Sequence, residues 1–315
     1  MRVGEVWVRR LAALNLVANV VIVVSGGAVR LTGSGLGCPT WPRCTDSSYV
    51  PTREVTGHGL IEFGNRTLAP VLTVIALATL LAAVLSQRRR RPVVWLAAAV
   101  FAGIPAQIVL GGITVRTHLN PWAVSAHFLL SAVLIAVAFA LWQRTRETSD
   151  APARPLVRRE VRWLAYGVVG LAAATLVLGA VVTGSGPHSG DGAARRTGLD
   201  PVIVAQLHAD VVMLLIGLSV GALVAVRLVG APEPAWRAAV TLVAVEASQG
   251  VIGYTQHFTH LPVLLVGLHM LGACLVWIAA LRLPVTLRFR PGAEQLPLPE
   301  PESPPHRVVH IDRYA

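Results

Sequence analysis

The stretch Gln107–His127 reads QIVLGGITVRTHLNPWAVSAH, and the later stretch Gln249–His269 reads QGVIGYTQHFTHLPVLLVGLH. Four residues coincide between them at one constant offset: Gln107 with Gln249, Gly111 with Gly253, His118 with His260 and His127 with His269. Coincidence at a single spacing indicates an internal repeat. We therefore predict two homologous halves in tandem, with a related site in each half.

The segments around this repeat are apolar and long. Of the 315 residues, 54% are hydrophobic and only 14% are charged, which excludes an ordinary soluble domain of this size. A bilayer core about 30 Å thick needs roughly 20 apolar residues in a helix. Such stretches recur eight times, at Leu11–Val29, Gly57–Leu85, Pro92–Val115, Pro121–Trp142, Trp163–Thr183, Pro201–Val229, Ala235–Tyr254 and Leu261–Leu283. The predicted fold is an all-α integral membrane protein whose eight transmembrane helices form two tandem, pseudo-symmetric four-helix bundles.

These segments divide the chain into four regions. Residues 1–142 are predicted to form the N-terminal four-helix half, residues 143–162 a cytoplasmic linker and residues 163–290 the C-terminal four-helix half. Residues 291–315 are rich in Pro and Glu, so we expect a disordered cytoplasmic tail. No small-residue cleavage site follows the first helix, and we expect this helix to be retained.

The charged residues predict the orientation of the chain. The formal net charge is +11, and every basic residue except histidine is arginine. Arginines concentrate after the second, fourth and eighth helices, as in the run Arg88–Arg91, whereas the opposite loops hold fewer. By the positive-inside rule we expect a multi-pass protein of the cell membrane with both termini cytoplasmic. This pattern favours the lipid bilayer, and not nucleic acid, as the partner of the arginines.

Three histidines are predicted to lie at one depth inside the helices. His127, His208 and His269 each follow the start of an even-numbered helix by six to eight residues, which is about 10 Å at a rise of 1.5 Å per residue. Ionisable side chains inside a membrane are costly and mark functional sites. A layer of imidazoles on facing helices suits haem iron, whereas bare zinc or copper normally needs roughly three or four clustered ligands. The alternative is that these histidines are hydrogen-bonded core residues.

The remaining even-numbered helix lacks a histidine at the corresponding position. Asn65 stands there, with Glu62 one turn earlier and Arg66 beside it. Glu62 and Arg66 can form a structural ion pair at the start of the helix. Alternatively, Arg66 meets an anionic haem propionate and Glu62 takes part in a reaction. The asymmetry predicts one permanently bound haem with two histidine ligands and one exchangeable haem.

Two cysteines lie close together in the first outer loop. Cys38 and Cys44, in GLGCPTWPRC, can oxidise to a structural or redox-active disulfide on that side of the membrane. A zinc site is the weaker interpretation because the loop has no second pair of ligands at suitable spacing. Cys274 lies in an apolar stretch and is interpreted as a packing residue.

Taken together, five strings in this order resemble the haem A synthase family. They are GSGLGCPTWPRC, IEFGNR, NPWAVSAHF, AQLHAD and GLHMLGA, and the resemblance covers roughly residues 11–283. It implies an oxidoreductase that converts the C8 methyl of haem O to a formyl group by successive hydroxylations. The product, haem A, would serve terminal oxidases.

The resemblance also implies roles for individual residues. His208 and His269 would ligate the iron of a haem b cofactor, and the N-terminal half would hold haem O, with His127 as axial ligand and Glu62 as catalytic carboxylate. Cys38 and Cys44 match the paired loop cysteines of the family. Asn65 departs from the family's pattern, which has a second histidine there, so we expect His127 to be the sole protein ligand of haem O. Haem O synthase, the oxidase assembly machinery and an unidentified electron acceptor are the implied partners.

Two other functions are compatible with the residues. A di-haem cytochrome b would only pass electrons across the membrane, and it would require two haems with two histidine ligands each, which Asn65 disfavours. A transporter or haem-handling assembly factor would also suit parallel repeats, and it would leave the substituents of the haem unchanged.

Overall fold

The computed structural model describes residues 3–52 and 57–291, and within these ranges the chain is almost entirely helical. Its helices are α1 (Glu5–Leu31), α2 (Gly57–Val84), α3 (Arg91–Arg116), α4 (Pro121–Arg146), α5 (Arg159–Ser185), α6 (Pro201–Leu228), α7 (Glu233–Phe258) and α8 (Val263–Thr286). Two short strands, β1 (Arg154–Pro155) and β2 (Arg288–Phe289), pair antiparallel. Each predicted apolar stretch thus forms its own helix. The predicted tail lies almost wholly outside the described residues.

Seven of the eight described helices are long and apolar enough to cross a membrane, which makes the chain a multi-pass membrane protein. The exception is α7, because Arg237, Glu246 and Gln249 interrupt its apolar sequence. That α7 also crosses the bilayer, and which side of the membrane holds the termini, stay predictions.

Local sequence explains where the helices begin. In α4 the side chain of Asn120 accepts hydrogen bonds from two backbone N–H groups of the first turn, and in α6 Asp200 does the same. A proline follows each cap, at a position where its missing N–H costs nothing and its fixed φ suits a helix. The sequences Asn-Pro and Asp-Pro therefore start α4 in the first half and α6 in the second half.

The repeat is also visible in the backbone where α3 and α7 end. His118 and Leu119 have φ values of 51° and 57°, and His260 and Leu261 have values of 63° and 59°. Left-handed conformations are uncommon for residues other than glycine. The same unusual turn in both halves supports the match between the two quoted stretches.

Packing groups the helices by sequence order. Among the described residues, α1 to α4 pack in a closed ring in which each helix contacts its two neighbours, and α5 to α8 do the same. Each ring has its own apolar core, and a smaller core of Val23, Ile135 and Cys274 lies where the rings meet. The diagonal partners α2 with α4 and α6 with α8 are not among the closely packed pairs. A ligand held within a ring would therefore lie between diagonal helices.

One end of the protein, here called the disulfide end, holds the loops after α1, α3, α5 and α7. At this end Arg30 of α1 donates hydrogen bonds to the carbonyl oxygens of Thr183 (2.6 Å) and His188 (2.5 Å), and Gly35 donates to Gly190 (2.8 Å). These bonds tie the end of α1 and the loop after it to the end of α5 and the loop after that helix. The two rings are thus joined at the disulfide end through backbone carbonyls.

The opposite end, here called the linker end, is closed by strands and ion pairs. β1 lies in the linker between the rings and pairs with β2, which follows α8. Arg144 at the end of α4 is only 8% exposed, and it bonds both Glu147 and Asp150. Arg290, directly after β2, donates to the carbonyl oxygen of Ala151 and approaches Glu147 at 3.1 Å. The linker is therefore held by residues from both halves.

We expect Arg144→Gln to destabilise the protein by on the order of 2 kcal/mol, since Glu147 and Asp150 would lose a buried cationic partner. Arg146→Gln is the matched control, because Arg146 is exposed and stacks only on the Trp142 ring. Thermal unfolding in detergent micelles measures the difference. Equal unfolding temperatures for the two variants would contradict the assigned role of Arg144.

Candidate functional site

His127, His208 and His269 lie in one layer near the disulfide end. They follow the first residues of α4, α6 and α8 by six, seven and six positions. Each of these three imidazoles is half-buried, so part of its surface stays accessible. His208 and His269 lie close enough to interact electrostatically. Helix starts, and not loops, therefore set the positions of these side chains.

Each of these imidazoles packs against a glycine of the preceding helix. A Cβ atom on Gly111, Gly179 or Gly253 would lie 3.1, 3.3 and 3.3 Å, respectively, from the Cε1 atom of His127, His208 or His269. These separations are tighter than ordinary carbon–carbon contacts. The glycines of the repeat are therefore explained by the close approach of an imidazole.

Glutamine side chains fix the backbone of two of these histidines. Gln107 Nε2 donates to the carbonyl oxygen of His127 at 3.2 Å and to Ser131 Oγ at 2.7 Å. Gln249 Nε2 donates to the carbonyl oxygen of His269 at 2.9 Å. The Gln, Gly and His of the repeated motif thus form one unit in each half.

The imidazole nitrogens fit a metal-binding role. The Nδ1 atoms of all three histidines are buried without a hydrogen-bond partner among the described residues. Buried polar atoms normally have a partner, so unpartnered nitrogens favour a role in ligand binding; whether these histidines are ligands or core residues stays a prediction. Within the described ranges, no three His, Cys, Asp or Glu side chains cluster as a bare metal site would require. Single imidazoles facing interhelical space are instead the ligand type that haem iron takes.

The fourth position of the layer is filled differently. Asn65 of α2 accepts a hydrogen bond from Ser25 Oγ of α1 at 2.7 Å. Here a polar pair replaces the packing of an imidazole on a glycine. The sequence predicted the missing histidine, but it gave no indication that Ser25 is the partner of Asn65.

Glu62 and Arg66 form the most densely bonded part of the site. Glu62 is 5% exposed, and its Oε2 atom accepts from the backbone N–H of Cys38 at 2.7 Å. Its Oε1 atom accepts from Arg66 Nε at 3.0 Å and from Arg66 Nη2 at 2.5 Å. Both predicted residues therefore lie together, as an ion pair that also contacts the loop after α1.

Arg66 uses its remaining N–H groups on that loop. It donates to the carbonyl oxygens of Cys38 (2.8 Å), Thr40 (3.1 Å) and Arg43 (3.1 Å). With its bonds to Glu62, all five guanidinium donors are engaged. The predicted contact between Arg66 and a propionate would require some of these bonds to open, and it stays a prediction.

The predicted bridge between the loop cysteines is confirmed. Cys38 and Cys44 form a disulfide, and both are fully buried. Cys274 is a free thiol and buried, in agreement with its interpretation as a packing residue. Because Cys38 also bonds Glu62 and Arg66, the disulfide loop and the carboxylate form one rigid unit.

Sequence reasoning missed one buried charged residue. Glu246 of α7 is 4% exposed, and its Oε1 atom accepts a hydrogen bond from Ser219 Oγ of α6 at 2.8 Å. The signal was a carboxylate in the middle of a predicted membrane helix, which marks a candidate functional residue by default.

Together, the fold and the site define a helical multi-pass membrane protein with single imidazoles layered between its helices. The model of the cytochrome oxidase assembly protein family (COX15-CtaA) matches residues 9–188, which is more than half of the chain. The chain belongs to this family. The matched region contains Glu62, Asn65, Arg66, His127 and the disulfide.

Curated relatives carry a more specific name. The chain is 31% identical over 137 residues to the haem A synthase of Geobacillus kaustophilus, covering 42% of this chain and 41% of the relative. It is 32% identical over 142 residues to the haem A synthase of Geobacillus thermodenitrificans, covering 44% of this chain and 43% of the relative. It is 28% identical over 133 residues to that of Listeria welshimeri, covering 42% of each. The chain thus spans about two fifths of the length of the curated relatives it matches.

We expect Arg66→Lys to loosen the disulfide loop, because a lysine has three donors on one atom and cannot replace the planar guanidinium. The rate at which a mild reductant opens Cys38–Cys44, followed by thiol labelling, should rise several-fold. Arg116→Lys is the control, since Arg116 is exposed at the end of α3 on the same side of the protein. An unchanged rate in Arg66→Lys would show that Arg66 does not hold the loop.

Proposed function

We propose that this chain is a haem A synthase, which oxidises the C8 methyl of haem O to a formyl group by successive hydroxylations. The layer of three imidazoles, each packed on a glycine, is the observation that carries the proposal. Membership of the cytochrome oxidase assembly family and the names of the curated relatives support it.

The C-terminal half is proposed to hold a haem b cofactor. His208 and His269, on the diagonal helices α6 and α8, are the residues that would hold the iron of this haem. A haem b held in this way supplies one-electron oxidation and reduction. The contacts with Gly179 and Gly253 orient the imidazoles before the cofactor binds.

The N-terminal half is proposed to bind the substrate haem O. His127 would offer one imidazole to the iron of haem O, and Asn65 lies on the diagonal helix α2, bonded to Ser25 of α1. A single protein ligand holds a porphyrin less tightly than two ligands do, which suits a molecule that must enter and leave. Arg116 is the better candidate for a propionate contact, because the N–H groups of Arg66 already donate to Glu62 and to carbonyl oxygens of the disulfide loop.

Glu62 is proposed to be the catalytic carboxylate. Oxidation of a methyl to a formyl group releases protons and electrons, and in our proposal water supplies the oxygen. A carboxylate held rigidly by Cys38 and Arg66 can accept those protons at a fixed position. The buried disulfide keeps the loop over this position and restricts the access of bulk water.

The arrangement of the whole chain follows from the same proposal. The halves would be parallel, pseudo-symmetric four-helix bundles, and α7 would cross the bilayer like the other helices. From the arginine distribution we propose that both termini lie on the cytoplasmic side. Haem O synthase and the oxidase assembly machinery are the proposed partners, as source of the substrate and consumer of the product.

Pigment analysis tests the proposed reaction. The chain is expressed in membranes together with a haem O synthase, and the extracted haems are separated by reversed-phase chromatography. We expect haem A or a hydroxylated intermediate, and we expect Glu62→Gln to lower their yield by about a hundredfold or more, as for other lost acid–base groups. Glu5→Gln is the control, because the Glu5 side chain is 54% exposed.

Two outcomes would count against this reading. Full conversion of haem O by Glu62→Gln at normal haem content would remove Glu62 from the mechanism. Haem b beside unchanged haem O, in well-folded wild-type protein, would favour the electron-transfer cytochrome or the haem-handling protein instead.

The glycine contacts give a test of the cofactor site. Gly253→Val should displace the His269 imidazole and lower the amount of haem b that co-purifies with the protein, because the new side chain would occupy the space of the ring. Gly250→Val is the matched control on the same helix, since a Cβ there meets nothing within 4 Å. The haem-to-protein ratio from absorption spectra measures both. Equal loss in the two variants would argue against His269 as a ligand.

A further inference from the structure

Glu246 and Ser219 form a polar pair inside the C-terminal ring that the proposed reaction does not use. The Glu246 Oε1 atom accepts from Ser219 Oγ, while its Oε2 atom is buried without a hydrogen-bond partner in the described part of the chain. A buried carboxyl group with a free oxygen is costly inside apolar packing. Such a cost suggests a task other than stability.

The other half of the protein provides an internal comparison. Glu246 lies three residues before Gln249, and Ile104 lies three residues before the matching Gln107. Ser219 lies eleven residues after His208, and Ala76 lies eleven residues after the matching Asn65. Both Ile104 and Ala76 belong to the apolar core of the N-terminal ring. The fold therefore packs well with an apolar pair at these positions, and only the C-terminal half carries the acid.

The position of Glu246 relates it to the histidine layer. It precedes Gly253, which packs on His269, by seven residues, so it lies about 10 Å along α7 from that contact. Gln249 lies between them on the same face of the helix and bonds the His269 carbonyl. Glu246 is thus near the histidine layer, on the side toward the linker end, without touching a histidine.

The neighbouring helices carry few other groups that could take its place. On α6 the titratable and charged residues are His208, Asp210 and Arg227, and on α8 they are His269, Cys274 and Arg282. Asp210 is exposed and bonds Gln206, while Cys274 packs in the core between the two rings. Glu246 is therefore the one buried carboxyl group among the described residues of the C-terminal half.

We propose that Glu246 takes up a proton when the haem held by His208 and His269 is reduced, and releases it on reoxidation. The proposal rests on the proposed function, because it assumes a haem at these histidines. Reduction adds one negative charge to a region of low dielectric constant, which makes proton binding at a nearby buried carboxylate more favourable. The electron comes from the oxidised substrate methyl, the proton comes from water, and the carboxylate becomes a carboxylic acid.

Ser219 suits both forms of this carboxyl group. A hydroxyl can donate to a carboxylate and can also accept from a carboxylic acid, so the 2.8 Å contact survives either protonation state. The unpartnered Oε2 atom leaves a position for the proton. By linkage, a group that binds a proton more strongly in the reduced protein makes the midpoint potential fall as pH rises.

A redox titration tests this inference on the full-length, haem-loaded protein. The midpoint potential of the haem is followed optically, with dithionite as reductant, from mildly acidic to mildly alkaline pH. We expect the potential of the wild type to fall as pH rises. We expect Glu246→Gln to remove most of that slope, and Glu246→Asp to restore part of it. Redox-induced infrared difference spectra should show a carboxyl band in the wild type that Glu246→Gln lacks.

A second variant separates the loss of the proton-binding group from a change in side-chain packing. Glu246→Ile with Ser219→Ala copies the pair that the N-terminal half already packs, and it should keep the haem spectrum while losing the slope. An unchanged slope in either Glu246→Gln or the double variant would overturn the inference and leave the proposed function intact. Absence of haem at His208 and His269 in the wild type would overturn both.

Discussion

The structure depends on the close approach of an imidazole to a glycine. At Gly111, Gly179 and Gly253 the space that a side chain would take is filled by a histidine from the next helix. This contact fixes the distance between consecutive helices and the orientation of the ring at the same time. Because the Gln–Gly–His unit occurs in both halves, the same contacts position His127 in one half and His269 in the other.

Much of this arrangement follows from sequence because it rests on periodic or repeated features. Apolar length predicted eight helices, and all eight are present in the described residues. The spacing of the loop cysteines predicted the disulfide, which is confirmed. The constant offset of the repeat predicted that glutamine, glycine and histidine would recur together, although the roles of the histidines as ligands stay predictions.

Other contacts could not be predicted because they join residues that no pattern links. Ser25 and Asn65 meet only because α1 packs on α2, and a lone serine in an apolar helix carries no signal. Three of the five donors of Arg66 reach loop carbonyls whose positions depend on the fold of an irregular segment. The two strands at the linker end are also too short to show an alternating pattern.

The differences between the halves are as informative as their likeness. The N-terminal ring has an asparagine where the C-terminal ring has a histidine, and an apolar pair where the C-terminal ring has Glu246 and Ser219. The two rings thus share several packing contacts but differ in these polar residues. In our proposal this divergence separates a half that exchanges its ligand from a half that retains it.

The strand pair at the linker end has a consequence for biogenesis. β1 precedes α5, but its partner β2 follows α8, and Leu156 donates its N–H to the carbonyl of Leu287. During synthesis the ribosome therefore releases the linker long before the segment that closes it. The ion pairs of Arg144 with Glu147 and Asp150 can form once the linker is made, whereas the strand pair can form only after α8 and β2 have been synthesised. Pairing of β1 with β2 would then show that α8 has reached its position beside the linker.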